Sequence, residues 1–452
     1  MSWEAPLMPL LNDMPLERTN QIFRHPIHQD GVGALVRLIT ALRQCRSAED
    51  FYDFQQDLLA RVLEVQEHRA GCRRVAKLLR QGKAVPADAP ELRSTDSATS
   101  PETWDLEADV CERVDRQLRS VADGLAWRVF SYDRRVIIAL SRNQHPGPMV
   151  GKKGLAAERE FVTDWWHDER RFVLLHDLTS CLTIGDATSF KEIGNDYEAY
   201  LHEIKSDPNR TVSRQLRRQR MAEEAIRSGG PLPGDLPGRL VPLDIAYKTH
   251  LDLLSTAFDL AHDRGVQGMK VPGGRALVAT DIVRGYELWS ERELIDRTAV
   301  EHLQTVKRAR ILDVGHLVYA RSDDLVARSP TMPPWSIYPL SPALCARLIT
   351  DYAMYFVTMS SEPLLAALDD VGLAAEWVLP RDQETVRPDE VVLRAHRGTR
   401  TIELRWAEMQ RRLLLEMADL PMWAEGAAQL MDRNDSGRHP WQSFTEEWKV
   451  WA

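Results

Sequence analysis

Three acids and a lysine lie in a pattern suited to holding a divalent cation against a phosphate. Ile184-Gly185-Asp186 is followed, seventeen positions after the aspartate, by Glu203-Ile204-Lys205, and Glu158 precedes both. Hard cations such as magnesium or manganese take oxygen ligands, usually one or two carboxylates together with waters and substrate phosphate oxygens. Asp186 and Glu203, with the Ile204 carbonyl as a further ligand, are expected to hold such an ion, and Glu158 to stand with them. An ion so placed neutralises phosphate charge and lowers the pKa of the water that attacks in line. Lys205 would orient that water or stabilise the pentavalent phosphorus. Its two carboxylate neighbours should raise its pKa, which argues against a free general base.

These side chains must be positioned by local elements that the sequence also predicts. Residues 151–169 have helical spacing, with Leu155, Val162, Trp165 and Trp166 as the apolar stripe. Glu158 falls on that stripe and Glu160 does not. A carboxylate facing the core side of a helix needs a compensating cation, whether an arginine at the rim or a metal. Three strand-like runs follow at 171–175, 182–186 and 199–206. In the last, a period of two sets Leu201, Glu203 and Lys205 on one face and Tyr200, His202 and Ile204 on the other. A hairpin of the second and third runs would bring Asp186 to Glu203 and Lys205, and Gly185 would leave room for a close neighbour.

A basic segment comes next. Residues 205–220 hold six cations, Lys205, Arg210, Arg214, Arg217, Arg218 and Arg220, against the single acid Asp207, in a chain whose formal net charge is −9. The overall charge argues against a protein that coats nucleic acid indiscriminately, so any such surface must be local. A helix starting near Thr211 would present Arg214, Arg217 and Arg218 within one turn, with Gln215 and Gln219 available for phosphate or sugar contacts and Arg210 just ahead. A solvated basic face paired with acids elsewhere is the other reading. Beside a carboxylate cluster, phosphate-backbone binding accounts for it better.

The rest of the 452-residue chain reads as several regions. Helical spacing over 33–81 predicts an N-terminal helical region at 1–83, and the Pro-, Ser- and Thr-rich stretch 84–103 has a linker composition. Residues 104–149 read as a helix (106–129) and a strand (135–140) connecting to the core at 150–285. The loop Gly147 to Lys153 resembles a P-loop only superficially, because it has three residues between its glycines and no Ser or Thr after Lys152. A helix over 243–263 stopped by Gly265, and a strand at 275–283, close that region. Residues 286–452 read as mixed and mainly helical, with amphipathic segments at 344–356 and 405–417 and a strand-turn-strand at 390–404. The tail 440–451 is rich in tryptophan. Five scattered cysteines without a CxxC pair fit small core hydrophobes in a reducing cytoplasm. No apolar run approaches a membrane span, and the first residues lack a secretory pattern, so a cytoplasmic location is expected.

The order of helix with inward Glu158, Ile184-Gly185-Asp186, Glu203-Ile204-Lys205-Ser206 and a basic, Gln-containing helix resembles the PD-(D/E)xK, or restriction-endonuclease-like, nuclease superfamily. The resemblance covers about residues 150–285. It implies an α/β chain with an αβββαβ core, residues 275–283 as the candidate late strand, and magnesium-dependent phosphodiester hydrolysis. It further implies Asp186 and Glu203 as metal ligands, Lys205 as the catalytic lysine and Glu158 as a supporting acid. Gly185 replaces the proline of the name. Gln215 is followed four residues on by Gln219 and not tyrosine, so the QxxxY signature of the exonuclease branch is missing and an endonuclease is the better expectation. DNA stands ahead of RNA as substrate, and a bacterial defence or restriction role is an analogy at the level of fold. The flanking regions would recognise a substrate, a trigger, a protein partner or a second copy. The alternative is a nucleic-acid-binding or assembly protein that keeps the fold without cleaving.

Overall fold

The computed structural model describes residues 21–93, 98–141, 147–193, 196–204, 213–228, 232–233, 245–311, 317–322, 332–378, 386–387 and 389–432. Lys205, Arg210 and the tryptophan-rich stretch 440–451 lie outside the described residues, as does the Arg214 side chain.

The described residues open with four helices: α1 (Pro26–Gln44), α2 (Ala48–Arg80), α3 (Pro101–Val129) and α4 (Arg134–Leu140). A capping box of Ser47 and Asp50 starts α2, while Ser100 with Pro101 in the first turn starts α3. These two long helices run antiparallel, with Gln66 bonded to Asp115, Arg69 to Glu112 and Arg73 to Asp109. The predicted strand at 135–140 is instead α4. Asp133 accepts from the Arg135 N–H at 2.9 Å to cap it, and Ile137 to Leu140 are all buried. A short apolar run buried on all sides carries no period that separates strand from helix.

Next come α5 (Leu155–Glu169), strands β1 (Val173–Leu175), β2 (Ala187–Ile193) and β3 (Asp196–His202), and α6 (Ser213–Ser228). The strands form one antiparallel sheet in the order β1-β2-β3, in register Leu175 to Ala187 and Ala187 to His202. The run 182–186, expected as a strand, is a bend leading into β2. Its backbone groups have other partners: the Thr183 and Ile184 N–H groups both donate to the Leu140 carbonyl at the end of α4, at 2.9 and 3.1 Å. β1 is held by α2, since the Gln55 amide donates to the Val173 carbonyl at 2.8 Å and accepts from the Leu175 N–H at 2.9 Å. α3 holds the loop after β1. Arg119 donates to the Asp177 carbonyl at 2.6 Å, and Asp123 accepts from the Ser180 and Cys181 N–H groups.

The remaining elements are α7 (Leu251–Arg264), β4 (Val266–Val271), β5 (Arg275–Asp281), α8 (Ile282–Leu288), α9 (Glu291–Arg308), β6 (Leu317–Arg321), α10 (Pro342–Ile349), β7 (Ala353–Ser360), α11 (Glu362–Asp370), β8 (Ala374–Trp377), β9 (Val391–Arg397), β10 (Arg400–Arg405), α12 (Trp406–Met409) and α13 (Leu420–Asp432). A π-helical turn over Gln410–Leu415 follows α12. Gly265, at φ +78°, ends α7 as its position predicts.

The candidate late strand corresponds to β5, but it does not join the β1-β2-β3 sheet. It lies in a second sheet, β4-β5-β7-β6, buried at all seven positions between β4 and β7. Its hairpin with β4 turns through Pro272, Gly273 and Gly274, both glycines at positive φ. That turn signal explains why β5 finds its partner locally. β8, β9 and β10 make a third antiparallel sheet, so the expected strand-turn-strand at 390–404 is present. The chain is mixed α/β. One hydrophobic core includes Leu38, Leu58, Val121, Leu174, Ala222, Leu277 and Leu414, from both ends of the chain. Among the described residues no helix is long and apolar enough to cross a membrane.

Candidate functional site

Helix α5 buries Glu158, Val162 and Trp166, one helical turn apart, as the expected stripe requires; Glu160 is exposed. Glu158 is 1% exposed, and its Oε1 accepts from the Lys152 ammonium at 2.6 Å. Its other oxygen, Oε2, is buried with no hydrogen-bond partner. Gly154, ahead of the helix, keeps this packing possible: a Cβ there would lie 3.1 Å from Glu158 Oε1.

Asp186 sits at the mouth of the β2-β3 hairpin, one step beyond the last laddered pair. Its N–H donates to the His202 carbonyl at 2.8 Å, and its carboxylate Oδ2 accepts from the Ile204 N–H at 2.7 Å. The aspartate is therefore tied to the backbone N–H of Ile204, the residue after Glu203, although the run that carries it is a bend and not the expected hairpin strand. Glu203 and Ile204 are half-buried.

The bend that delivers Asp186 is locked from two sides. His176 is fully buried, and burial lowers its pKa to about 4, so it is a neutral imidazole. Its Nδ1–H must donate to the Ile184 carbonyl (2.9 Å), which leaves Nε2 to accept from the Thr188 hydroxyl (2.7 Å). Gly185 has φ +76°, and a Cβ there would meet the Gln219 amide nitrogen at 3.0 Å and the His202 carbonyl at 3.1 Å. The close neighbour expected at this glycine is thus Gln219, which is 5% exposed and whose Nε2 has no hydrogen-bond partner. It faces inward against the bend, while Gln215 and Arg217 are exposed on α6 and Arg218 is half-buried.

Two site residues escaped the sequence reading, Lys152 and Asp177. Lys152 bridges Glu158 and the Asp177 carboxylate. An acid two residues past a strand end is a signal for Asp177; Lys152 was weighed only as part of a phosphate loop. The electrostatics join all four groups. Burial raises the Glu158 pKa, partly offset by Lys152, with Asp177 and Asp186 adding to the rise. Burial likewise raises Asp186 against the opposing Ile204 N–H and Lys152, with Asp177 adding. Burial alone would lower the Lys152 ammonium, but its bonds to Asp177 and Glu158 outweigh that and raise it. Three carboxylates thus face one ammonium. The buried, unpartnered Glu158 Oε2 and this excess of negative charge fit a hard divalent cation. Three of these acids do not bring their oxygens together: among the described residues, only His68, Cys72 and Glu107 bring three ligand atoms all within 4.8 Å of one another.

No family model, curated protein or solved structure matches this chain.

Proposed function

We propose that the chain is a divalent-metal-dependent nuclease of the PD-(D/E)xK type, acting on DNA ahead of RNA and as an endonuclease. One observation carries the reading. The Asp186 carboxylate is bonded to the Ile204 N–H, which couples Asp186 to Glu203-Ile204-Lys205 at the end of a helix, three antiparallel strands and a helix. Asp186 and Glu203 would hold a magnesium or manganese ion, with Glu158 behind them. When bound, the ion supplies charge neutralisation at a phosphodiester.

The chain's own residues do the rest. The Ile204 N–H and the His176-locked bend hold the Asp186 carboxylate in place. The Lys152 ammonium, bonded to Glu158, favours its carboxylate form against burial, and exposed Gln215 and Arg217 on α6 offer contacts to a phosphate backbone. Lys205 is assigned to orient the nucleophile.

The second reading, a nucleic-acid-binding protein that does not cleave, draws on Lys152, whose ammonium already compensates Glu158 and Asp177. The test is to incubate the purified chain with plasmid, single-stranded DNA and RNA in magnesium, manganese or EDTA. Metal-dependent cleavage that Lys205→Ala and Asp186→Asn each reduce at least about a hundredfold supports the nuclease. Binding without cleavage by the parent supports the second reading.

A further inference from the structure

A second cluster of ligand-type side chains lies between α2 and α3, well apart from the acids above in the chain. His68 and Cys72 are one turn apart on α2; Glu107 and Cys111 are one turn apart on α3. The antiparallel packing of the helices sets the two pairs face to face. His68 Nε2, Cys72 Sγ and a Glu107 carboxylate oxygen all lie within 4.8 Å of one another. We propose that His68, Cys72 and Glu107 bind a zinc ion, with a water completing the tetrahedral set.

The chemistry of the donors selects the metal. Imidazole nitrogen, thiolate sulfur and carboxylate oxygen are the ligands of tetrahedral zinc, whereas magnesium and calcium take oxygen alone. A tetrahedral ion at about 2.0–2.3 Å spaces its ligand atoms by about 3.3–3.8 Å. His68 Nε2 and Glu107 Oε1, now 2.6 Å apart, would need to separate by under 1.5 Å at about the wider limit. The surroundings already serve as an outer shell. The Arg93 N–H donates to both Glu107 oxygens at 3.1 and 3.0 Å, and buried His25 lies with Nε2 3.4 Å from Glu107 Oε2. Such contacts orient a carboxylate ligand. Cys72 and Cys111 are buried, and Cys111 senses the charge of both Cys72 and Glu107.

The experiment is a cobalt(II) titration of the full chain purified under reducing conditions, alongside zinc content and thermal unfolding with and without zinc. One ion per chain is expected at the thiolate site, read by a thiolate-to-cobalt charge-transfer band that saturates at one equivalent, with visible tetrahedral d–d bands and a higher Tm with zinc. Cys72→Ser should abolish the charge-transfer band or reduce it with a loss of affinity of at least about tenfold. His68→Gln, at a partly exposed position that spares the core, should weaken binding similarly. Glu158→Gln should leave the spectrum unchanged, separating this site from the acid cluster. No bound zinc, no thiolate band and an unaltered Tm in the parent would overturn the proposal, leaving Glu107 as a carboxylate paired with histidines. A band of equal strength in Cys72→Ser would overturn the assignment of that ligand.

Discussion

Replacing Lys152 by methionine probes the electrostatics of the site without touching a proposed metal ligand. Methionine keeps most of the aliphatic stem and removes the ammonium that lies 2.6 Å from Glu158 Oε1. Removing one partner of a fully buried ion pair costs about 3–5 kcal/mol. Here Glu158 is 1% exposed but the Lys152 side chain is 33% exposed, so solvent screens part of the interaction. We expect a loss of about 2 kcal/mol at pH 7, with the Glu158 pKa raised further.

The sign follows from linkage. A carboxylate whose folded pKa is raised costs stability above its unfolded value of about 4.3, and the penalty grows as pH rises to the folded value. The deficit should therefore be full at pH 7 and shrink as pH falls towards 4. Urea unfolding of parent and variant at pH 4.5 and 7 measures it. The double variant Lys152→Met with Glu158→Gln should regain most of the loss at pH 7. A deficit equal at both pH values and unrelieved by Glu158→Gln would refute the reasoning, showing that Lys152 acts through packing alone.

Three further outcomes follow from the same geometry. Gly185→Ala should cost about 1–3 kcal/mol in chemical denaturation, because a left-handed backbone gains a Cβ against Gln219 and the His202 carbonyl. Arg217→Ala should change stability by no more than about 0.5 kcal/mol yet weaken DNA binding, lowering the slope of log affinity against log salt by about 1 in a fluorescence titration. Magnesium affinity, measured calorimetrically, should increase with pH through the range just above ordinary carboxylate values and then level off. The raised Glu158 and Asp186 must lose their protons to bind, so binding should release protons over that window.

The parts of the site legible in the sequence are those fixed by local periodicity. The spacing of Glu158, Val162 and Trp166 decides which acid of α5 faces inward. The hairpin that forms pairs β3 with β2 (Ala187–Ile193), a strand not expected there, in place of the run 182–186. What escaped depends on long-range partners. The 182–186 run carries strand-type residues, yet its N–H groups go to Leu140, an acceptor that exists only once α4 has packed there. β5 has a strong strand pattern, but its sheet is decided by β4 and β7, the latter about eighty residues on. Gln219 lies on a helix read as an outward basic surface, and only the packing of α6 turns it towards Gly185. Lys152 and Asp177 meet because α3 pins the loop after β1, which no spacing in the sequence announces.

The central claim is that Asp186 and Glu203 share one divalent ion. Manganese binding followed by electron paramagnetic resonance tests it directly, with parent, Asp186→Asn and Glu203→Gln compared at equal concentration. The prediction is one tightly bound ion in the parent that either substitution weakens by at least about tenfold, with unchanged circular dichroism. Equal manganese occupancy in parent and both variants would contradict the account.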